Sequence, residues 1–307
     1  MKRVGKAPRG YAAIGDDVAF FPSGKGKLVA KVDMLVEHTD VPPGMTYRQA
    51  ARKAVAMCVS DFAAKGVKPD SFMVSLGLRR GVVQEQVDAL AEGFRDAKRN
   101  WKVHLVGGDT NESEELVIDC AMLGFATRIV PRDGSSPGDS LVVTGRFGYT
   151  RAGLDILTRS AKAEAGFRRR ATASVLLPTP NLRMGIAIAP YLTSAMDSSD
   201  GLARSLYTLA RASGVGFELT SLPIGDGVKK FASSNGLDPE TLVLQGGEEY
   251  VVVGTVRRQK LGAARRAARK AGGELLEIGT TTNSGRVELL TGGTRRPVED
   301  EGWTHLR

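Results

Sequence analysis

Acidic side chains beside glycines are the groups in this sequence whose spacing could do chemistry. Residues 102–113 place two glycines and Asp109 directly after a short apolar run. Glycines at that point let the backbone pass close to a ligand, and the carboxylate that follows is a hard oxygen ligand. Backbone N–H groups for a phosphate, next to a carboxylate for its metal ion, predict a nucleotide site. We expect the other unusual acids to converge on Asp109.

Asp33 and Asp61 do not have the pattern of surface charges. Asp33 lies within an apolar strand, where either a metal ion or a salt-bridge partner must compensate the buried charge. Asp61 lies near the C-terminal end of a helix, where the helix dipole disfavours an acid. Lys65, four residues later, is an ordinary partner for it. The sequence alone leaves both pairs of alternatives open.

Three further acidic stretches each allow two interpretations, one functional and one structural. Residues 15–17 read GDD, which is also a common turn. Asp197 and Asp200 precede a helix, where Ser199 or Asp200 could act as the cap and the helix N-terminus could bind an anion. Residues 246–250 repeat two glycines and then acids, including Glu248, with a turn as the alternative. Together the acids predict Mg²⁺ chemistry, because Mg²⁺ binds carboxylates, waters and substrate phosphates.

Apolar periodicity predicts two α/β units. In the first part it predicts strands at 18–21, 28–36, 71–78, 102–106 and 116–127, and helices at 47–65 and 84–100. Turn residues cluster at 131–139, so we expect domains at 1–134, which would bind ATP and magnesium, and at 135–307. In the second part it predicts strands at 140–145, 215–219, 249–256, 275–279 and 286–290, with helices at 202–213 and 257–271 and two or three more between 149 and 190.

Composition excludes several classes of protein. The 307 residues are 42% hydrophobic and 25% charged, as in ordinary globular proteins. Neither a membrane-spanning run nor an apolar signal segment is visible. The two cysteines and three histidines have no zinc-ligand spacing, and buried free thiols indicate the cytoplasm. The net charge of +9 comes largely from basic helical segments with few aromatics, which favours attraction of anionic substrates over nucleic-acid binding.

Seven motifs in order resemble those of the thiamine-monophosphate kinase family, in the superfamily of aminoimidazole ribonucleotide synthetase: GDD, VDMLVE, SDFAAKG, HLVGGDTNES, PRDGSSPGD, MDSSDGL and LQGGEEY. The resemblance covers residues 15–303. It implies an α/β (α+β) architecture of two domains, in which the N-terminal strands form a barrel shared in a homodimer. It also implies direct in-line transfer of phosphate from ATP to thiamine phosphate, giving thiamine diphosphate.

The same resemblance implies a role for each candidate residue. The expected Mg²⁺ ligands are Asp17, Asp33, Asp61, Asp109, Asp197 and Asp200, among which Asp109, Asp61 and Asp197 form the catalytic set. The expected ATP contacts are Gly108, Asp109, Arg132 and Ser199. The expected contacts to thiamine phosphate are Asp40, Glu248 and Trp303, whose ring suits a cationic heterocycle.

The sequence departs from the family pattern at three places. Counting without gaps reaches Asp40 where the family has a substrate-contacting histidine, and His38 lies two residues earlier. Lys31 and Val32 stand where hydroxyl residues supply metal contacts, and Glu249 replaces an aspartate. The sequence leaves two alternative functions open. One is another ATP-dependent enzyme of the superfamily with a different acceptor, and the other is a basic RNA-associated protein that has lost catalysis.

Overall fold

The computed structural model describes residues 15–24 and 26–304. Its first sheet contains five strands: β1 Ala19–Ser23, β2 Gly26–Val36, β3 Pro69–Arg79, β4 His104–Ser113 and β5 Val117–Ala126. They are arranged in the order β1-β2-β5-β3-β4. Strands β3 and β4 run parallel, and the other neighbours run antiparallel. The helices of this part are α1 Glu37–Asp40, α2 Tyr47–Lys65 and α3 Gln84–Trp101.

The second sheet contains seven strands in the order β12-β11-β8-β10-β6-β9-β7. These are β6 Ser140–Val143, β7 Leu192–Asp197, β8 Gly216–Leu219, β9 Val252–Val256, β10 Leu276–Thr282, β11 Val287–Thr291 and β12 Thr294–Pro297. The helices around it are α4 Tyr149–Arg159, α5 Ala165–Leu176, α6 Leu182–Ile188, α7 Leu202–Ser213, α8 Val228–Ser234, α9 Pro239–Leu244 and α10 Leu261–Lys270, with 3₁₀ turns at Ala189–Tyr191 and Arg258–Lys260. The predicted α/β (α+β) class is confirmed.

Helix α2 lies between the two halves and has the bounds that the sequence predicts. It begins after Thr46 because the Thr46 side chain and Gln49 form a capping box. It ends at Gly66, whose φ of +66° is the left-handed conformation that glycine adopts readily. Its residues are buried around most of its circumference, because α3 and the first sheet cover one side and α6 and β7 the other.

Two glycines let neighbouring helices pack closely on α2. A Cβ atom at Gly93 of α3 would lie 2.2 Å from the carbonyl oxygen of Arg48, and one at Gly185 of α6 would lie 2.2 Å from that of Ala63. Either substitution would force the helix backbones apart. The position of α2 against both halves is therefore defined by close backbone contact.

Strand β4 corrects one prediction from the sequence. The strand does not stop at the glycines where the apolar run ends, since β4 continues to Ser113 and pairs with β3. A Cβ atom at Gly108 would lie 2.3 Å from the carbonyl oxygen of Val74. Gly108 therefore serves the pairing of two strands, whereas the sequence suggested only an approach to a ligand.

One face of the first sheet carries exposed apolar side chains. Val32, Met34, Val106 and Phe125 are each more than half exposed. Because α2 and α3 pack on the opposite face and strands alternate their side chains, these residues form a separate, open face. The five strands do not close into a barrel within the chain. No helix in the described ranges is long and apolar enough to cross a membrane.

Candidate active site

A cleft of about 1020 Å³ opens beside α2 between the two halves of the chain. Strand β2, helices α2 and α4, the loops around β7 and β9 and the segment at 300–303 supply its walls. Most of the residues predicted from the sequence line it: Asp33, Asp40, Asp61, Asp197, Ser199, Asp200, Glu248 and Trp303.

Three buried acids come together beside this cleft. Asp17 precedes β1, Asp61 lies in the last turns of α2, and Asp197 ends β7. One carboxylate oxygen of each lies within 4.8 Å of the others. Ser60 Oγ donates a hydrogen bond to Asp197 Oδ2 at 2.8 Å. Asp17 and Asp61 belong to the first half of the chain and Asp197 to the second, so the acid trio joins the two halves.

The acid trio fits a hard divalent cation. Oxygens bound to one Mg²⁺ at about 2.1 Å lie about 3–4 Å apart, so small movements would let these three bind the same ion. Asp17 Oδ2 is buried, and within the described residues it accepts no well-aligned hydrogen bond, although Lys65 Nζ lies 2.9 Å away. Asp17, Asp61 and Asp197 are therefore the residues that would hold the ion.

Three basic side chains compensate the acids without a metal. Lys65 Nζ lies 2.6 Å from Asp16 and 2.9 Å from Asp17, and it donates to the carbonyl of Ala195 at 2.8 Å. Arg132 pairs with Asp17 and donates to the carbonyl of Gly15. Lys65 therefore pairs with the residues before β1, and its predicted alternative partner Asp61 is instead bound by Lys31.

Lys31 lies between Asp33 and Asp61. Its Nζ is 3.1 Å from Asp33 Oδ1 and 2.9 Å from Asp61 Oδ2. Burial alone would lower the pKa of Lys31, but the charges of Asp61 and Asp33 outweigh burial and raise that pKa above its ordinary value. Asp33 therefore has a salt-bridge partner, which is one of the two alternatives that the sequence left open.

Burial and mutual repulsion disfavour the charged forms of the acids. Burial raises the pKa of Asp197 to about 7, and the neighbouring Asp17 adds to this, while Lys31 and the Ser60 hydroxyl oppose it. Burial and the charge of Asp197 likewise raise the pKa of Asp61 well above its ordinary value. The metal-free protein therefore stores repulsion that a bound cation would relieve.

Two loops and the C-terminal segment pack against one another at the far wall of the cleft. Glu248 N donates to the carbonyl of Ser199 at 2.6 Å, and Trp303 N donates to the carbonyl of Asp200 at 2.9 Å. A Cβ atom at Gly247 would lie 2.8 Å from the Ser199 carbonyl oxygen, so the second glycine of that stretch permits this approach. The backbone contacts place Ser199, Asp200, Glu248 and Trp303 on one wall.

Gly201, rather than Ser199 or Asp200, is the N-cap residue of α7. Gly201 has a φ of +111° at this position, and a glycine has no side chain with which to cap the helix. Glu249 caps a different helix, since its carboxylate accepts N–H bonds from Gly148 at 2.6 Å and Thr150 at 3.2 Å at the start of α4. Burial raises the pKa of Glu249 to about 7, against the effect of these hydrogen bonds.

Asp40 and His38 lie differently with respect to the cleft. Asp40 lines it, and its Oδ2 accepts hydrogen bonds from Val36 N at 2.8 Å and Thr39 Oγ1 at 2.9 Å. His38 is exposed, and its backbone N–H donates to Glu115. Of the two residues, Asp40 is therefore the one that lines the cleft.

Asp109 and Gly108 lie apart from the other predicted residues. Asp109 pairs with Ser75, Ser75 with Asp119, and Asp119 with Met34, so these four form a row on the open face. Asp33, next to Met34, points to the opposite face, where α2 lies. Within one chain the acids do not converge on Asp109, because strand alternation separates them.

Helix α2 contributes buried polar side chains near the cleft that the sequence reasoning missed. Lys53 is 1% exposed, and its Nζ lies 2.6 Å from Glu248 Oε1 and donates to the Asp40 carbonyl at 2.8 Å. Ser60 is also buried. The sequence did contain a sign of these residues, because Lys53 and Ser60 lie in the predicted helix next to the residues of its apolar stripe. A lysine on a buried face needs a partner.

Comparison with known proteins decides the family. Residues 15–126 match the family model described as AIR synthase related protein, N-terminal domain, and residues 136–291 match the corresponding C-terminal domain. The thiamine-monophosphate kinase of Nitrosopumilus maritimus is 39% identical over 292 residues, which are 95% of this chain and 93% of that protein. This chain belongs to the thiamine-monophosphate kinase family. The resemblance seen in the motifs is thereby confirmed.

Another thiamine-monophosphate kinase and two solved structures are also similar to this chain. The Pyrococcus abyssi kinase is 33% identical over 296 residues, 96% of this chain and 91% of that protein. The structure of AaThiL complexed with AMPPCP and TMP has a TM-score of 0.86 at 29% identity, covering 95% of this chain and 92% of that one. Escherichia coli HypE, a hydrogenase maturation protein, has a TM-score of 0.72 at 20% identity, which shows a shared fold alone.

Proposed function

We propose that this chain transfers the terminal phosphate of ATP to thiamine phosphate, giving thiamine diphosphate, with Mg²⁺ as the metal. The observation that carries the proposal is the acid trio beside a cleft that also contains Glu248 and Trp303. Membership of the family supports the choice of substrates, since AaThiL was solved with AMPPCP and TMP. Two buried free cysteines support a reducing, cytoplasmic location.

The chain's own residues would position two polyanions for an in-line transfer. The acceptor phosphate is already an anionic nucleophile, so the reaction needs no general base. Bound Mg²⁺ would supply the positive charge shared by the donor and acceptor phosphates. Arg151 and Arg204 line the same cleft and provide further positive charge. We also propose Arg132 and Ser199 as ATP contacts and Asp200 as a further metal ligand, whereas Asp33, predicted as a metal ligand, is paired with Lys31.

Glu248 and Trp303 are suited to the thiamine moiety. Lys53 Nζ and the Tyr250 hydroxyl, at 2.6 Å and 3.3 Å, hold the Glu248 carboxylate in one orientation. A fixed carboxylate can accept hydrogen bonds from a heterocycle, and the half-exposed Trp303 ring can stack on its cationic part. Asp40 on the adjoining wall completes the proposed substrate site.

We propose a homodimer as the active form. The open face of the first sheet exposes Val32, Met34, Val106 and Phe125, and β4 is an exposed edge strand. An apolar face next to an exposed edge is typical of an interface between chains. A second copy paired there could bring its Asp109 towards the cleft of the first. We also propose the domain boundary between residues 134 and 135, which follows the segment after β5.

The direct test is product formation. The purified protein is incubated with ATP, Mg²⁺ and thiamine phosphate, and thiamine diphosphate is measured by chromatography, with unphosphorylated thiamine as the control acceptor. We expect thiamine diphosphate with thiamine phosphate and no thiamine phosphate from thiamine. A folded, dimeric preparation that forms no thiamine diphosphate would refute the proposal.

Trp303→Ala should weaken the binding of thiamine phosphate without changing the ATP site. Loss of a stacking contact worth about 1 kcal/mol should raise KM for thiamine phosphate roughly 5- to 10-fold, with a smaller effect on KM for ATP. Steady-state kinetics with each substrate varied in turn measure this. Leu177→Ala, at another exposed apolar residue outside the cleft, is the control. An equal rise in both KM values would contradict the assignment.

A further inference from the structure

Lys31 lies on the face of β2 that helix α2 covers. Lys31 and Asp33 are two residues apart on β2, so their side chains point to the same face. Their partners on β5, Met122 and Cys120, are both buried, which shows that this is the face covered by α2. The strand geometry therefore aims the Lys31 ammonium at Asp61, and at the acid trio beyond it.

The ammonium bridges two carboxylates at contact distance. Lys31 Nζ lies 3.1 Å from Asp33 Oδ1 and 2.9 Å from Asp61 Oδ2, and its side chain is 20% exposed. A divalent ion bound to those two oxygens at about 2.1 Å would overlap this position. The two cations would also repel each other strongly in such a poorly solvated place. Lys31 and an ion between Asp33 and Asp61 therefore exclude one another.

We propose that Lys31 is a built-in cation that replaces one divalent ion between Asp33 and Asp61, so that this chain binds one ion fewer than it would without the ammonium. The inference rests on the proposed metal site at the acid trio. Asp17, Asp197 and the second oxygen of Asp61 would hold the remaining ion, which would compete with Lys65 and Arg132 for the Asp17 carboxylate. The lysine also makes part of the charge compensation permanent and independent of the magnesium concentration.

Counting bound Mn²⁺ tests the proposal without using catalysis. Metal-free wild type and Lys31→Gln are titrated with Mn²⁺, and the free ion is measured by its electron paramagnetic resonance signal. We expect Lys31→Gln to bind one more ion per chain than wild type. Lys31→Arg keeps the charge and should have the wild-type count. Lys27→Gln removes a lysine from the same strand outside the cleft, and it should also leave the count unchanged.

The outcomes separate this inference from the proposed function. If wild type and Lys31→Gln bind the same number of ions, Lys31 does not replace one, and the inference fails while the metal site stands. If wild type binds no Mn²⁺, the metal site and this inference both fail. If Lys31→Gln unfolds without metal, both proteins are purified in Mn²⁺ and the ions retained after gel filtration are counted. One more ion per chain in Lys31→Gln supports the inference, and equal numbers refute it.

Discussion

Asp197→Asn should abolish phosphoryl transfer and, at the same time, stabilise the metal-free protein at pH 8. Activity should fall by about 10²–10³-fold or more, because the acid trio loses one of the charges that would hold the ion. The asparagine oxygen can still accept the hydrogen bond from Ser60. Its amide hydrogens can donate to the carboxylates of Asp17 and Asp61, which replaces repulsion with hydrogen bonds.

The stability effect has a defined dependence on pH. An aspartate in the unfolded chain has a pKa of about 3.9, whereas that of Asp197 in the fold is about 7. Between these values the folded state keeps a proton that the unfolded state has released. The free energy of unfolding therefore falls as pH rises from about 4 to 7, and the loss is complete above that, at up to about 4 kcal/mol. Below about pH 4 the two forms of the chain are equally protonated and the effect vanishes.

Thermal unfolding in EDTA at pH 5 and pH 8 measures this effect. Asp197→Asn should raise the melting temperature of the metal-free protein more at pH 8 than at pH 5. Added Mg²⁺ should stabilise wild type at pH 8 and should have little effect on the variant. Asp88→Asn, which removes an exposed charge from α3, should change neither activity nor stability. A variant that melts earlier than wild type at pH 8 would contradict the repulsion on which the prediction depends.

Dimers that combine Asp109→Ala and Asp61→Asn chains should be active although each variant alone is inactive. Asp109 lies on the open face and Asp61 on the helix side of the same sheet, so one chain does not bring them together. If a second copy supplies Asp109, one of the two sites in the mixed dimer is intact. The activity of the mixed dimer should therefore be roughly half that of the wild-type dimer.

Two affinity tags allow the mixed dimer to be purified and assayed for thiamine diphosphate formation. The matched control combines Asp61→Asn with Asp197→Asn, whose sites both lie in one chain's acid trio and should stay inactive. No activity in the Asp109→Ala and Asp61→Asn pair would show that Asp109 does not act across the interface. Activity in the control pair would show instead that the acid trio is itself shared between chains.

Local patterns predicted the elements well, because their causes are local. Helix α2 has the predicted bounds, since a capping box and a left-handed glycine define its ends. Helix α7 also has its predicted bounds. Most of the acids that line the cleft could be identified from the sequence, because each is unusual in its own local surroundings. An acid in an apolar strand or at the wrong end of a helix is visible without knowing any neighbour.

Pairing across the chain was not predictable in the same way. Lys65 could be assigned to Asp61 by helical spacing, but it binds Asp16 and Asp17, which come from 48 or more positions away in the sequence. The face on which Asp109 lies depends on the register between β3 and β4, which an irregularity between Phe72 and Met73 shifts. The partner of Lys53 is Glu248, which lies in the second half of the chain. These contacts are tertiary, and residue spacing carries no information about them.

The contact between Gly108 and the Val74 carbonyl changes how a mutational scan of this region should be interpreted. Any side chain at position 108 would push an edge strand away from its neighbour, so loss of activity there would report a damaged sheet. A Cβ atom at Gly107 would meet, within 4 Å and among the described residues, only the Met73 side chain, at 3.9 Å. An alanine at position 107 is therefore the cleaner probe of ligand contact. The same change one residue later would mimic a binding defect for purely mechanical reasons.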